Sequence, residues 1–212
     1  MITKLSQLDF NKKYTYAEYL TWRLKERVEL IKGYISRMSP APTRKHQEIS
    51  GIIFNSMYSF LKGKKCKVYS APFDVRFFTK TETGEIILDN VVQPDICVIC
   101  DLDKLDDKGC LGAPDLIVEV LSPSTSEKDL TYKYDLYRLN GVKEYWVVSP
   151  EDKHLAIYIL DDSGEYIPSR LYTRGITVTS TVLSGFSVDL SEVFEPFNWK
   201  VLEEQEKYYN RV

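Results

Sequence analysis

A single carboxylate lies inside an otherwise apolar run near the middle of this 212-residue chain. The run is Leu116-Ile117-Val118-Glu119-Val120-Leu121, preceded by Pro114-Asp115 and ended by Ser122-Pro123-Ser124-Thr125. Its length and its boundaries read as a buried central strand. Burying a lone carboxylate is costly unless it is paired or binds a metal, so Glu119 demands a partner. A second Pro-Asp pair, Pro94-Asp95, opens another apolar run, Ile96–Cys100, and places Asp95 at a strand entrance.

The rest of the chain supplies elements around these two strands. Thr15 with Glu18 three residues on forms a capping-box pattern, predicting a helix within 14–27. Val28–Met38 reads as a hairpin turning near Lys32-Gly33. Ser39-Pro40-Ala41-Pro42 forms a rigid loop. Apolar residues Ile49, Ile52, Ile53, Met57, Phe60 and Leu61 recur at helical spacing within Thr43–Leu61. Lys67–Phe78 reads as one strand, Ile86–Leu88 pairs back on it, and Asp101–Gly112 is an acidic connection. A helix over Ser126–Asn140 ends at Asn140-Gly141, a helix-stop signal. Glu144–Val148 and Leu155–Leu160 are strands, Tyr172–Phe186 is β-like, and Leu190–Phe194 and Val201–Tyr209 are short helical pieces. Strands and helices mix without regular βαβ alternation, which argues for an α/β or α+β arrangement around one mixed sheet with the 43–61 and 126–140 helices packed on it.

Length bounds the organisation to a single domain over residues 1–212, with a core at about 28–190 and an N-terminal helix and C-terminal tail appended. No apolar run approaches the roughly 18 residues that a bilayer span needs. The stretch MITKLSQLDFNKKYTY has no apolar h-region, so no secretory signal is expected in it. Cys66, Cys97, Cys100 and Cys110 are irregularly spaced, so the expectation is a cytoplasmic protein with reduced thiols. The Cys97/Cys100 pair falls in a strand, where the two side chains point to opposite faces, which argues against a zinc or redox pair. A net charge of −3 argues against a strongly basic DNA-binding module; a locally basic cleft is still compatible with it. Asp101, Asp103, Asp106 and Asp107 lack the Gly and Glu positions of a calcium loop and read as a solvated segment.

Asp95 and Glu119, on neighbouring strands, can hold a divalent cation through oxygen, with the backbone carbonyl of Val120 as a third ligand. Such an ion suits phosphodiester hydrolysis. Lys133, on the helix leaving the Glu119 strand, is the candidate cation beside the nucleophile, and Tyr137 follows it at i+4 on the same helical face. The structural alternative is an ion pair of Glu119 with Lys133 or Arg138. Ser122 and Ser124 read as strand-ending and helix-capping residues rather than nucleophiles.

At this point the chain resembles the PD-(D/E)XK nuclease superfamily, and within it the Uma-type restriction endonuclease family. Pro94-Asp95 and Glu119-Val120-Leu121 match the superfamily signature. GYISRMSPAPTRKHQ, QPDICVI, PDLIVEVLSPST, KYDLYRLNGVKEYWVVSP and LSGF match the branch, across roughly residues 14–190. The resemblance implies a restriction-endonuclease-like α/β fold, a mixed sheet flanked by helices. It further implies DNA as substrate, Mg²⁺ or Mn²⁺ as cofactor, and hydrolysis of phosphodiester bonds; a homodimer is compatible with it. The superfamily lysine position, two residues after the acid, is Leu121 here. In relatives that lysine migrates to the following helix, which assigns its role to Lys133, with Lys128 as the fallback. The resemblance also suggests His46 as a further metal ligand, with Glu29 and Glu48 as alternatives. A catalytically weak or inactive nucleic-acid-binding or interaction protein keeping the fold is the second reading.

Overall fold

A computed structural model describes residues 1–38, 42–81, 83–122 and 129–195. Lys128, Ser124, most of the 39–42 loop, the start of the 126–140 helix and the Val201–Tyr209 segment lie outside the described residues.

Helix α1 is short, Tyr16–Tyr19, with Thr15 and Glu18 forming the reciprocal capping box that the sequence signals. It does not continue to residue 27. The chain instead bends so that Trp22 packs edge-on against Tyr14, ring centroids 5.1 Å apart, and Arg23 donates its backbone N–H to Ile2. Strands β1 (Val28–Ile31) and β2 (Tyr34–Arg37) form the hairpin. Its turn residues Lys32 and Gly33 both have positive φ, 53° and 81°, the geometry of a tight two-residue turn. Helix α2 (Arg44–Leu61) is capped by Thr43, whose hydroxyl accepts from the His46 N–H.

The expected single strand over Lys67–Phe78 is two, β3 (Lys67–Ser70) and β4 (Val75–Lys80), and they enter different sheets. Pro72 lies at the break and has no N–H to give to a ladder. Strand β5 (Ile86–Val92) follows, then β6 (Ile96–Ile99). The acidic connection after it contains a small hairpin, β7 (Leu105–Asp106) and β8 (Gly109–Leu111). Buried Arg76 draws Asp106 in at 2.6 Å. Gly109 is required there, since a Cβ would lie 2.1 Å from the Asp74 carbonyl oxygen. Strand β9 (Leu116–Val120) is buried throughout. A π-helical turn, Asp129–Lys133, leads into α3 (Tyr134–Leu139), which Gly141 ends at φ 83°. Strands β10 (Glu144–Ser149), β11 (His154–Leu160), β12 (Tyr166–Pro168), β13 (Tyr172–Thr173), β14 (Thr177–Thr179) and β15 (Ser187–Asp189) follow, and α4 (Leu190–Phe194) closes the described chain.

The strands build two main sheets where the sequence suggested one. The first runs β2-β1-β5-β4-β8-β7; the second runs β12-β11-β10-β9-β6-β3, with β13 also on β11; β14 and β15 pair separately. The second sheet is mixed: β9 is parallel to β10 and antiparallel to β6. One face packs Val118, Val120, Trp146 and Val148 against Ile49, Ile53 and Met57 of α2 and against the C-terminal segment around Phe186. The other face packs Ile117, Tyr145 and Val147 against Tyr137 of α3 and against Val75, Phe77 and Val92 of the first sheet.

Two of the expected free thiols are instead joined. Cys66 and Cys100 form a disulfide. Antiparallel pairing of Lys67 with Ile99 sets the preceding and following residues side by side. Cys97 and Cys110 are free and buried. Among the described residues no helix is long and apolar enough to cross a membrane.

Candidate active site

Side chains alternate across β9. Leu116, Val118 and Val120 face α2, whereas Ile117 faces the opposite cluster. Glu119 therefore points with Ile117, toward α3. Tyr137, fully buried on α3, donates its hydroxyl to Glu119 Oε1 at 2.7 Å. Lys133 Nζ, at the end of the π-helical turn, donates to the same oxygen at 2.7 Å and lies 3.2 Å from Glu29 Oε1 on β1. Relative exposures are 0% for Glu29, 3% for Glu119 and 4% for Lys133, so this ion cluster sits inside the protein. Among the described residues, Lys133 is the cation that reaches both acids.

Burial first, and then the negative Glu119, hold the Tyr137 phenol well above its ordinary range, so it stays a donor. Burial, followed by the Cys110 and Glu119 charges, likewise pushes the Cys97 thiol up.

Asp95 joins this arrangement through β9. Its Oδ2 accepts from the Val120 N–H at 2.8 Å, one residue beyond Glu119. His46 Nε2, in the first turn of α2, lies 3.2 Å from the same oxygen. The entrance of β6, the end of β9 and the start of α2 thus converge on one carboxylate.

Glu29 is fixed from behind by Gln93, whose backbone N–H donates to Glu29 Oε1 at 3.1 Å. The Gln93 side chain accepts from Arg27 and donates to Asp74. Burial raises the Asp74 carboxyl pKa, with the Gln93 bond pulling the other way. In the sequence, the signal for Gln93 is its position immediately before Pro94-Asp95. Glu48 is engaged elsewhere, in an i,i+4 ion pair with Arg44. Arg138, the alternative partner for Glu119, is paired with Glu165 at 2.6 Å and Asp135 at 3.6 Å. Among the described residues, no group of three or more His, Cys, Asp and Glu side chains is already gathered in a metal-holding arrangement.

Known proteins share this architecture. The fold is a mixed α/β arrangement of strands in several sheets with few helices. It superposes with a TM-score of 0.65 on a crystal structure from Anabaena variabilis ATCC 29413, described as "a putative nuclease belonging to DUF820", at 20% identity over 85% of this chain and 97% of that one. The chain belongs to the Uma2 family, described as "Putative restriction endonuclease", whose model matches residues 16–191. It is also 28% identical, over 176 residues, to an uncharacterized protein of Synechocystis sp. (strain ATCC 27184 / PCC 6803 / Kazusa), covering 82% of this chain and 88% of that protein.

Proposed function

We propose that this protein hydrolyses DNA phosphodiester bonds with the aid of a divalent cation, Mg²⁺ or Mn²⁺. The observation that carries the reading is the arrival of Lys133 from the helix at 2.7 Å from Glu119, while Asp95 is hydrogen-bonded to the backbone of the adjoining residue. A lysine beside paired acids at a strand end suits phosphoryl chemistry.

The donor chemistry fits such an ion: the carboxylates of Asp95 and Glu119 and the carbonyl of Val120 are hard oxygen ligands, and His46 stands beside Asp95 as a further ligand. When bound, the ion would activate a water and neutralise charge on the phosphate. The chain's own groups do the positioning. The Val120 N–H and His46 orient Asp95, Tyr137 orients Glu119, and Glu29 and Glu119 hold the Lys133 ammonium from two sides. From there Lys133 supplies positive charge toward the phosphate.

Family membership and the nuclease-like neighbour support this reading. The second reading, a nucleic-acid-binding or interaction protein that does not cleave, draws support from Leu121, just beyond β9, where the superfamily signature places lysine. Incubation of supercoiled plasmid and single-stranded DNA with Mg²⁺ or Mn²⁺ separates the two. Cleavage by the wild type, lost in Lys133→Ala and regained in Leu121→Lys/Lys133→Ala, is the expected result; no cleavage of any substrate with any divalent ion would establish the second reading.

A further inference from the structure

Four of the six residues Lys62-Gly63-Lys64-Lys65-Cys66-Lys67 are lysines, on a chain whose net charge is −3. All four are exposed, and none forms an ion pair among the described residues. The segment leaves the C-terminus of α2 and is pinned to the end of β6 by the Cys66–Cys100 disulfide. Aromatic rings flank this charge. Tyr58 is 56% exposed one helical turn before Lys62, and Lys64 Nζ lies 3.1 Å from the centre of the Phe60 ring. Tyr58, Lys62, Gly63, Cys66, Lys67 and Tyr69 line an open cavity of about 350 Å³. Tyr69 is held flat against Phe73, rings 4.2 Å apart.

We propose that this lysine loop and its tyrosine-lined cavity form a second nucleic-acid contact that holds single-stranded DNA, phosphates on the lysines and a base on Tyr58. A basic track with exposed aromatic rings is the chemistry by which proteins hold unpaired strands without reading sequence. The location separates this contact from the candidate cleavage site. His46 and Lys62 stand at opposite ends of α2, a helix ~27 Å long, and Lys67 pairs with Ile99 at the end of β6 remote from Asp95. By strand rise, the Lys67 end of this contact lies about 13 Å along β6 from Asp95. The inference rests on the nucleic-acid part of the reading above and not on its cleavage chemistry.

Fluorescence anisotropy with a labelled oligo-dT, in EDTA so that cleavage is silent, tests it directly. The triple change Lys62→Glu/Lys64→Glu/Lys65→Glu is expected to weaken binding by roughly tenfold or more and to flatten the salt dependence by about two log units per log unit of salt. The milder Lys→Gln set should lose affinity in the same sense, which guards against misfolding of the reversal variant. Tyr58→Ala should weaken binding by roughly fivefold or more, because it removes a stacking ring. Wild-type affinity and salt slope in both lysine sets, no binding of oligo-dT by the wild type, or Tyr58→Ala binding as tightly as wild type would each overturn the proposal. So would lysine variants that lose anionic phosphatidylserine vesicles while keeping DNA. Failure of the wild type to cleave any DNA would sink the proposed hydrolysis and leave this binding result standing.

Discussion

The carboxylate of Asp95 accepts a hydrogen bond from the backbone N–H of Val120, the neighbour of Glu119 on β9. One short bond therefore sets the spacing between the two acids that the sequence singles out, and ties it to strand register rather than to side-chain freedom.

Asp95→Asn keeps an acceptor for that N–H while removing the charge. Its melting temperature should stay near wild type, whereas its Mn²⁺ affinity, measured by isothermal titration calorimetry, should fall by roughly tenfold or more. Asp95→Ala should additionally lose about 1–3 kcal/mol of stability, because the Val120 N–H is left without its partner. Unchanged Mn²⁺ affinity in both variants would remove Asp95 from the ligand set.

Lys133→Ala leaves Glu29 and Glu119 buried without their shared ammonium. Breaking a buried ion pair from one side costs about 3–5 kcal/mol, so urea denaturation should show a loss of that order. Replacing the ions together, as Glu29→Gln/Glu119→Gln/Lys133→Met, should recover most of that stability and none of the cleavage. A triple variant no more stable than Lys133→Ala would show that the cluster is not the cause.

Alkali should destabilise the fold. Burial raises the Tyr137 phenol well above 10.0 and the Cys97 thiol well above 9.0, and it lifts Cys110 to about 11. Each group keeps its proton in the folded state after the unfolded chain has released it. Its stabilising contribution is therefore complete below the ordinary value and declines above it, first from about pH 9 for the thiols and then from about pH 10 for the phenol. Tyr137→Phe should reduce the limiting slope by about 1.4 kcal/mol per pH unit between pH 10 and the folded-state value, read from urea melts at successive pH values. An identical slope in the variant would contradict the burial of a protonated Tyr137.

Glu144 is also fully buried, among a dense set of donors. It accepts from Trp146 Nε1, Ser180 Oγ, the Thr181 N–H and hydroxyl, and the Val182 N–H. Glu144→Ala should cost about 3–5 kcal/mol, since several buried donors lose their acceptor together. Mn²⁺ affinity should be unaffected under conditions where the variant stays folded. A wild-type melting curve would mean that the loop after β14 closes without it.

Much of the candidate cluster was legible in the chain because Glu119 interrupts an apolar run and Asp95 opens another. Glu119 is conspicuous inside Leu116–Leu121, and Asp95 is marked by the proline before it. Lys133 and Tyr137 could be paired by their four-residue spacing on a helix that leaves the Glu119 strand. The grip of Glu29 on Lys133 could not be read: it joins different sheets, and no local pattern encodes which strands of two sheets will face each other. The same blindness merged β3 and β4, since their apolar residues continue across Pro72 even though the two strands part there. The Cys66–Cys100 bond follows from the pairing of β3 with β6, which irregular cysteine spacing does not reveal.

Lys133 touches Glu29 in the first sheet and Glu119 in the second, so its ammonium works as a rivet through both. Any ligand that draws Glu119 away from Lys133 must loosen that rivet, and any change that tightens the seam between the sheets must in turn alter the affinity for that ligand. Thermodynamic reciprocity makes the two effects equal in size. The amide protons of β1, on the far sheet, are therefore a remote gauge of what happens at Glu119.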